Sequence, residues 1–192
     1  MTSDKLPKII ESRYLPKDEL DNFTDNIFGF FPAIIIFIAG LGPFLSPKTT
    51  LSTETKWIFL SIGILILAYT IYSKLTERRL KFIHTGLNKY ENENLIINIS
   101  QKEDWNVISR KQFYYEYLFS FVRFHYGFKL TIIPIDDGIL INFRNRGTAQ
   151  ARMPYQFGIE TIKQKRIEKI IKNYAQQALH DKLATSRLAN KS

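Results

Sequence analysis

The sequence predicts a membrane hairpin of two transmembrane α-helices followed by a two-layer α+β domain, with a mainly antiparallel four-stranded sheet and two helices. Two long runs without a charged residue, a set of short aromatic and β-branched segments, and a final amphipathic pattern support this prediction. The predicted parts are an N-terminal cytoplasmic segment 1–26, the hairpin 27–73, a cytoplasmic α+β domain 74–183 and a flexible tail 184–192.

The two apolar runs define the predicted membrane spans, 27–45 and 57–73. A bilayer core about 30 Å thick needs roughly 20 apolar helical residues, with a lower limit near 17. The first run follows a segment rich in acids and bases, which is not the pattern of a signal peptide. Two core helices of a soluble protein are the alternative, but runs that are apolar all round favour lipid. Gly40 and Gly42 would allow close approach of the helices.

The distribution of charge predicts how the chain is oriented. The net charge of +9 comes entirely from residues 74–192, which carry 21 basic and 11 acidic side chains, and Lys74, Arg78, Arg79 and Lys81 directly follow the second run. Lysine and arginine near a membrane mark the cytoplasmic side. We therefore predict a multi-pass protein of a bacterial inner (plasma) membrane with both termini in the cytoplasm.

The α+β domain is predicted from caps, alternation and turns. Asn88, with Glu91 three residues later, predicts the capped start of a helix over about 89–103. Apolar residues at helical spacing predict a final helix over 158–179. Residues 78–87 fit either a strand or the last turns of the second membrane helix. The predicted strands are 105–110, 113–119, 128–135 and 138–143.

Two adjacent carboxylates in "PIDDGILINFRNRG" raise the question of a site. Asp137 and Gly138 between β-branched runs predict a type I′ turn, because both turn positions need positive φ. The alternative is a catalytic or metal-binding pair. An enzyme site built from Asp136, Asn142 and Arg144 would require these three side chains to converge.

No motif predicts catalysis, a metal or a cofactor. His84, His125 and His180 are scattered without metal-ligand spacing, and the chain has no cysteine, which excludes thiolate chemistry. We therefore predict no enzymatic activity and no cofactor. A stacking platform for nucleic acid would use the aromatic residues of one strand, but a sheet core explains them more simply, so nucleic acid is not a predicted partner. These residues are Phe113, Tyr114, Tyr115 and Tyr117.

Two groups of cations are the candidate binding residues. One group, Arg78, Arg79 and Lys81, lies at the predicted exit from the membrane. The other, Arg144, Arg146 and Arg152, lies in a predicted polar loop over 144–154. Clusters of this kind bind anionic lipid headgroups, and a protein partner is a second candidate. The alternative is an ordinary solvated face.

Four features define the order of elements along the chain: the two apolar runs, Trp105 at the start of a strand, the "DDGILIN" hairpin and the "YQFGIETIKQKRIEKII" entry into the last helix. In this order of elements the chain resembles uncharacterised small bacterial membrane proteins with two N-terminal helices and one cytoplasmic α/β domain. The resemblance covers most of residues 27–175 and implies an architecture without an activity. We predict a membrane-anchored, non-enzymatic binding or scaffold protein. The alternatives are an immunity-type protein that binds a toxin at the membrane and a membrane-bound enzyme.

Overall fold

The structure, a computed structural model, describes residues 5–16, 23–46, 50–119, 127–145 and 159–189, with side chains except at 23–29, 145, 159–160 and 185–189. The chain divides into two compact units. The sheet unit comprises Met1–Pro16, Arg78–Arg146 and Phe157–Ser192, and the helical unit comprises Lys17–Glu77 and Gly147–Gln156.

The described elements are five α-helices and five β-strands. In chain order they are α1 (Leu6–Ser12), α2 (Phe23–Leu45), α3 (Thr53–Thr76), β1 (Lys81–His84), α4 (Lys89–Lys102), β2 (Asn106–Lys111), β3 (Tyr114–Phe119), β4 (Phe128–Ile135), β5 (Gly138–Asn145) and α5 (Ile159–Ala189). The last helix therefore continues through most of the segment that was predicted to be a flexible tail.

The sheet has five strands in the order β1-β5-β4-β3-β2, and all neighbours are antiparallel. The prediction of a four-stranded sheet is wrong, because residues 81–84 form β1 and pair with β5 from Lys81↔Ile141 to His84↔Gly138. The sequence is compatible with either a strand or a helix for this segment, and its hydrogen bonding to a strand distant in sequence makes it a strand. β1 and β2 are the two edges of the sheet, and α4 connects them.

α4 and α5 cover the first face of the sheet with an apolar core. Ile99 of α4, Ile171 of α5, and Leu130 and Ile132 of β4 are completely buried. Burying each such side chain stabilises the fold by about 1.5–3 kcal/mol. α4 begins at the predicted capping box, which the Asn88 and Glu91 side chains form with each other's backbone N–H groups.

A third helix, α1, covers part of the second face. Ile9 and Leu15 pack against Ile133 and Leu140 of the sheet. After α1 the chain forms a short antiparallel pair with residues 78–80, in which Leu15 N–H donates to the carbonyl of Arg78 at 2.9 Å. The prediction of two helices on one face therefore omitted a helix, and residues 5–16 belong to the sheet unit.

The helical unit consists of α2 and α3, which pack antiparallel at two glycines. A Cβ atom at Gly40 would lie 2.8 Å from the carbonyl oxygen of Phe59, and one at Gly63 would lie 3.0 Å from Cα of Phe37. A Cβ atom at Gly42 would meet nothing within 4 Å. Close approach at Gly40 is thus confirmed, whereas Gly42 does not contribute to it.

The predicted hairpin of two membrane spans is wrong. Among the described residues, α3 is the one helix long and apolar enough to cross a membrane, and 11% of its most apolar window is buried. This helix extends beyond the predicted span 57–73 at both ends, and at its start the Ser52 hydroxyl caps it by accepting from Thr55 N–H. The part of α2 with described side chains, Phe30–Leu45, is a shorter apolar stretch.

Candidate functional site

The paired aspartates form the turn between β4 and β5, one position earlier than predicted. Ile135 pairs with Gly138, so the two turn residues are Asp136 and Asp137. Positive φ occurs at Asp137, at 64°, and not at Gly138. Gly138 is required for a different reason: its Cβ atom would lie 2.5 Å from the carbonyl oxygen of Ile83 in the neighbouring strand β1. The predicted type I′ turn over Asp137 and Gly138 is therefore wrong.

Both aspartates dock this turn onto the connection between β1 and α4. The Asp136 carboxylate accepts a hydrogen bond from Lys89 N–H at 2.9 Å, at the start of α4. A carboxylate at a helix N-terminus is stabilised by the helix dipole. The backbone of Asp137 accepts from Thr85 N–H and donates to the carbonyl of Leu87, each at 3.0 Å. These contacts are structural, and both side chains are exposed.

The three residues of the hypothetical enzyme site do not converge. Asn142 and Arg144 lie on the second face of the sheet, where they pair with Thr131 and Lys129 in β4. Asp136 lies at the end of the hairpin, six residues before Asn142. The strand from Gly138 to Asn142 alone spans about 13 Å, at roughly 3.3 Å per residue.

Sequence reasoning missed a group of polar residues that the sheet brings together on its second face. We call this group the second-face cluster; it lies beside the apolar contacts of α1. The cross-strand register aligns β3, β4 and β5 so that their polar residues are neighbours. Its members are Tyr114, Glu116, Lys129, Thr131, Asn142 and Arg144.

An ion pair is at one side of the second-face cluster. The Glu116 carboxylate lies 2.7 Å from the Lys129 ammonium, and both side chains are largely buried, with 14% and 16% exposed. The Tyr114 hydroxyl donates to the same carboxylate at 2.8 Å. These two donors satisfy a carboxylate that is largely removed from water.

The other side of the second-face cluster holds the chain that leads into β1. The Asn142 amide donates to the carbonyl of Arg79 at 2.9 Å. Arg144 is buried, with 3% exposed, and Thr131 is completely buried. The Thr131 hydroxyl has no hydrogen-bond partner among the residues that the structure describes. These contacts join the cluster to its own chain, so the cluster fixes three strands and residues 78–80.

Of the six predicted binding cations, two lie outside the described residues: Arg146 and Arg152. Arg79 is exposed and Arg78 is half-buried. Lys81 forms an ion pair with Glu168 of α5 at 2.7 Å. Arg144 was assigned to a polar loop, but β5 extends through Asn145 and buries its side chain. Alternation along "GILINFRN" could have shown this, because Arg144 falls on the same face as Asn142.

The described residues contain no group of three or more His, Asp or Glu side chains able to hold a metal ion. His84 is exposed on β1 and His180 is exposed on α5, while His125 lies outside the described residues. The four aromatic rings proposed as a stacking platform are buried, three in the faces of the sheet and Phe113 in the turn between β2 and β3, with exposed fractions between 1% and 9%. They are Phe113, Tyr114, Tyr115 and Tyr117.

Most of the large apolar side chains that are exposed in the described part of the chain lie in the helical unit. On α3, Leu65 is 68% exposed. Large exposed apolar patches generally mark protein–protein or membrane interaction sites. Other large apolar residues exposed on α2 and α3 are Phe31, Ile34, Ile35, Ile38, Ile58, Ile62, Tyr69 and Tyr72.

Comparison with known proteins does not assign the chain to a family. The resemblance to small bacterial membrane proteins therefore stays a prediction. No protein-family model, no curated protein and no solved structure matches this chain.

Proposed function

We propose that this chain is a membrane-associated, non-enzymatic binding protein. Its helical unit inserts into the bilayer, with α3 as the helix long enough to cross it. Its sheet unit binds a ligand on the cytoplasmic side of a bacterial inner membrane. The observation that carries the proposal is the apolar surface of α3, of whose most apolar window only 11% is buried.

The energetics of α3 favour lipid over water. Ile58, Ile62 and Leu65 are each between 46% and 68% exposed, and each fully buried aliphatic side chain gains about 1.5–3 kcal/mol. Aromatic residues lie toward both ends of the helix, Trp57 near its start and Tyr72 near its end. Tryptophan and tyrosine are enriched at the two interfaces of a bilayer with water.

The cations that follow α3 suit anionic headgroups. Arg78 and Arg79 come directly after the helix, which ends at Thr76 with Glu77 as its C-cap. Their backbone is fixed by hydrogen bonds to Leu15 and Asn142, while the Arg79 side chain is exposed. A cation near an anionic surface contributes about 1 kcal/mol to binding. Cations at this position also favour a cytoplasmic sheet unit.

Extraction of bacterial membranes that contain the full-length chain tests the proposal. We expect the chain to stay in the membrane pellet at alkaline pH, as an inserted protein does. The double variant Ile62→Lys, Leu65→Lys should move to the soluble or aggregated fraction, because lysine within the hydrocarbon core is costly. Ile162→Lys is the control, since Ile162 is an isoleucine of α5 that is 69% exposed. Complete release of the unmodified chain at alkaline pH would refute insertion.

A protease-protection assay tests the headgroup contact separately. The chain is reconstituted in vesicles of neutral lipid with or without an anionic lipid, and accessibility of the sheet unit to a protease is measured. We expect anionic lipid to protect the unmodified chain near residue 79, and Arg78→Gln with Arg79→Gln to remove that protection. Lys165→Gln with Lys169→Gln, on the exposed side of α5, is the charge-matched control. Equal protection in both variants would show that these arginines do not bind headgroups.

A further inference from the structure

β2 is an exposed edge of the sheet. Its Val107 and Ile108 side chains are 50% and 41% exposed, and β3 is its strand neighbour in the sheet order. The outward N–H and C=O groups of an edge strand are a template for another strand. The opposite edge, β1, has four residues against six in β2. Of the two edges, β2 therefore offers the longer pairing surface.

The charges around β2 are arranged with opposite sign at its two ends. Glu103 and Asp104 form the turn just before the strand, and Arg110 and Lys111 end it. All four side chains are exposed. A second strand that runs antiparallel must therefore carry bases at one end and acids at the other. The same segment of a second copy has this arrangement.

We propose that β2 pairs antiparallel with β2 of a second copy of this chain, joining two sheets across a two-fold axis. With the axis between Val107 and Ile108, the acidic turn of each copy lies beside the basic end of its partner. Val107 of each copy then lies opposite Ile108 of the other at the centre of the pair. Such a contact is isologous, since the same surface serves both subunits and the assembly closes as a dimer.

An acidic peptide fits this edge less well than a second copy. It would neutralise Arg110 and Lys111, but its remaining carboxylates would face Glu103 and Asp104. Like charges placed opposite each other across strands are destabilising. A basic peptide has the same defect at the other end of the strand. The mixed charge of the edge thus selects a partner with both signs in reversed order.

Two features limit the strength of the pair. The register of β2 shifts between Val107 and Ser109, which places a bulge at Ile108, and a bulge bends an edge strand. A six-residue strand also buries little area, at the low end of specific interfaces, below about 1,200 Å². We therefore infer a weak dimer that a crosslinker captures, and not a stable one that survives dilution.

Thiol crosslinking of the full-length chain tests the contact directly. The chain has no cysteine, so a single introduced thiol reports one position. In membranes and in mild detergent, Val107→Cys treated with a short bismaleimide should give a covalent dimer several-fold more efficiently than Asn98→Cys. Asn98 is an exposed residue of α4 and lies away from the β2 edge in sequence. Equal crosslinking at the two positions would overturn the proposal.

Exchange of charges between two copies tests the arrangement of the ends. One variant carries Arg110→Glu and Lys111→Glu, and the other carries Glu103→Lys and Asp104→Asn, each with Val107→Cys. Asparagine is chosen because residue 104 has a positive φ of 49°, which asparagine tolerates. Each variant alone should crosslink several-fold less than Val107→Cys, because both ends of its β2 then carry the same sign of charge and repel those of a second copy. A mixture of the two should restore crosslinking as a heterodimer.

The outcomes separate a second copy from other occupants. Circular dichroism establishes that each variant keeps its fold. Folded variants that crosslink as well alone as in the mixture would overturn the antiparallel pair. Capture of a different protein at residue 107, in place of a second copy, would also overturn it. A restored heterodimer cannot come from the helical unit, because all the exchanged charges are in the sheet unit.

Discussion

The same apolar residue types are buried in the sheet unit and exposed in the helical unit. In the sheet unit, Leu130 and Ile132 are completely buried, whereas Leu65 of the helical unit is 68% exposed. The contact between α2 and α3 is made at small residues, Gly40 and Gly63, where the backbones approach closely. Water drives apolar side chains inward. In lipid that force is absent between helices, and close packing of small residues replaces it.

This difference supports the proposal that the helical unit inserts into the bilayer. An apolar side chain is stabilising where it is removed from water; that place is the protein interior in the sheet unit and, under the proposal, the bilayer in the helical unit. Glycine has no apolar side chain to bury, but it allows two helix backbones to meet. Matched substitutions in the two units therefore have different expected effects.

The largest expected effect comes from the same substitution made in both units. Leu130→Ala should lower the free energy of unfolding by about 2–5 kcal/mol, because it leaves a cavity in a packed core. Leu65→Ala, in the same detergent, should change it by less than about 0.5 kcal/mol, as for an exposed position. Denaturant titration in mild detergent, followed by circular dichroism, measures both. A large loss at Leu65 with none at Leu130 would contradict the comparison.

The second effect concerns glycine in the helical unit. Gly40→Ala should destabilise the α2–α3 pair by about 1–3 kcal/mol, because the new Cβ atom meets backbone that cannot move aside. Gly42→Ala, two residues later, has space and should be neutral or stabilising by up to about 1 kcal/mol, since alanine favours a helix. The midpoint of an SDS titration followed by fluorescence of Trp57, which contacts Phe44 across the helix pair, compares them. Equal midpoints would show that the helices do not need close contact at Gly40.

Sequence predicted the elements better where the signal is local. The capping box of Asn88 and Glu91, the four strands of the meander and the final helix all rest on neighbouring residues, and the structure contains each of them. β1 and α1 were missed or left open because their stability comes from distant partners. β1 is a four-residue strand completed by β5, and α1 is held by Ile133 and Leu140 of the sheet.

The candidate site was predicted less well, because its polar residues were first assigned to a turn or a loop and their roles were then inferred from that assignment. The turn was predicted over Asp137 and Gly138 and lies over Asp136 and Asp137, because the reason for Gly138 lies in β1, which sequence does not place beside it. Arg144 was assigned to a loop, and its place in the second-face cluster follows only from the register with Lys129.

The third effect is in the sheet unit, where a buried polar side chain of α4 joins the helix by hydrogen bonds to β4, β5 and the segment after β1. The Asn92 amide is completely buried, donates toward the carbonyls of Ile135 and Gly138, and accepts from the Thr85 hydroxyl at 2.7 Å. Asn92→Ala should cost about 1–3 kcal/mol, because buried polar groups lose their partners. Asn98→Ala, on the exposed side of the same helix, should be neutral or slightly stabilising. Thermal unfolding of the two variants distinguishes them, and equal melting temperatures would contradict the role of Asn92.

The smallest effect is electrostatic and lies on the surface of the sheet unit. Glu91 of α4 lies 2.7 Å from the Lys182 ammonium of α5. The hydrogen bond from Lys182, with the one from Asn88 N–H, holds the pKa of Glu91 below its usual value. A lowered pKa in the folded state means that the stabilisation is complete above the unfolded pKa and is lost as pH falls through the folded pKa. The expected window is therefore acidic, below about pH 4.3.

Glu91→Gln isolates the charge, because glutamine at this position still accepts the hydrogen bond of a capping box. At neutral pH the variant should be slightly less stable than the unmodified chain, and the difference should vanish as pH falls through the acidic window. Added salt should also reduce it, because exposed ion pairs are screened. Melting temperatures measured from neutral to acidic pH give the comparison, with Glu103→Gln, exposed beyond the end of the same helix, as the control. A difference that persists unchanged at acidic pH would mean that the packing of residue 91, and not its charge, joins α4 to α5.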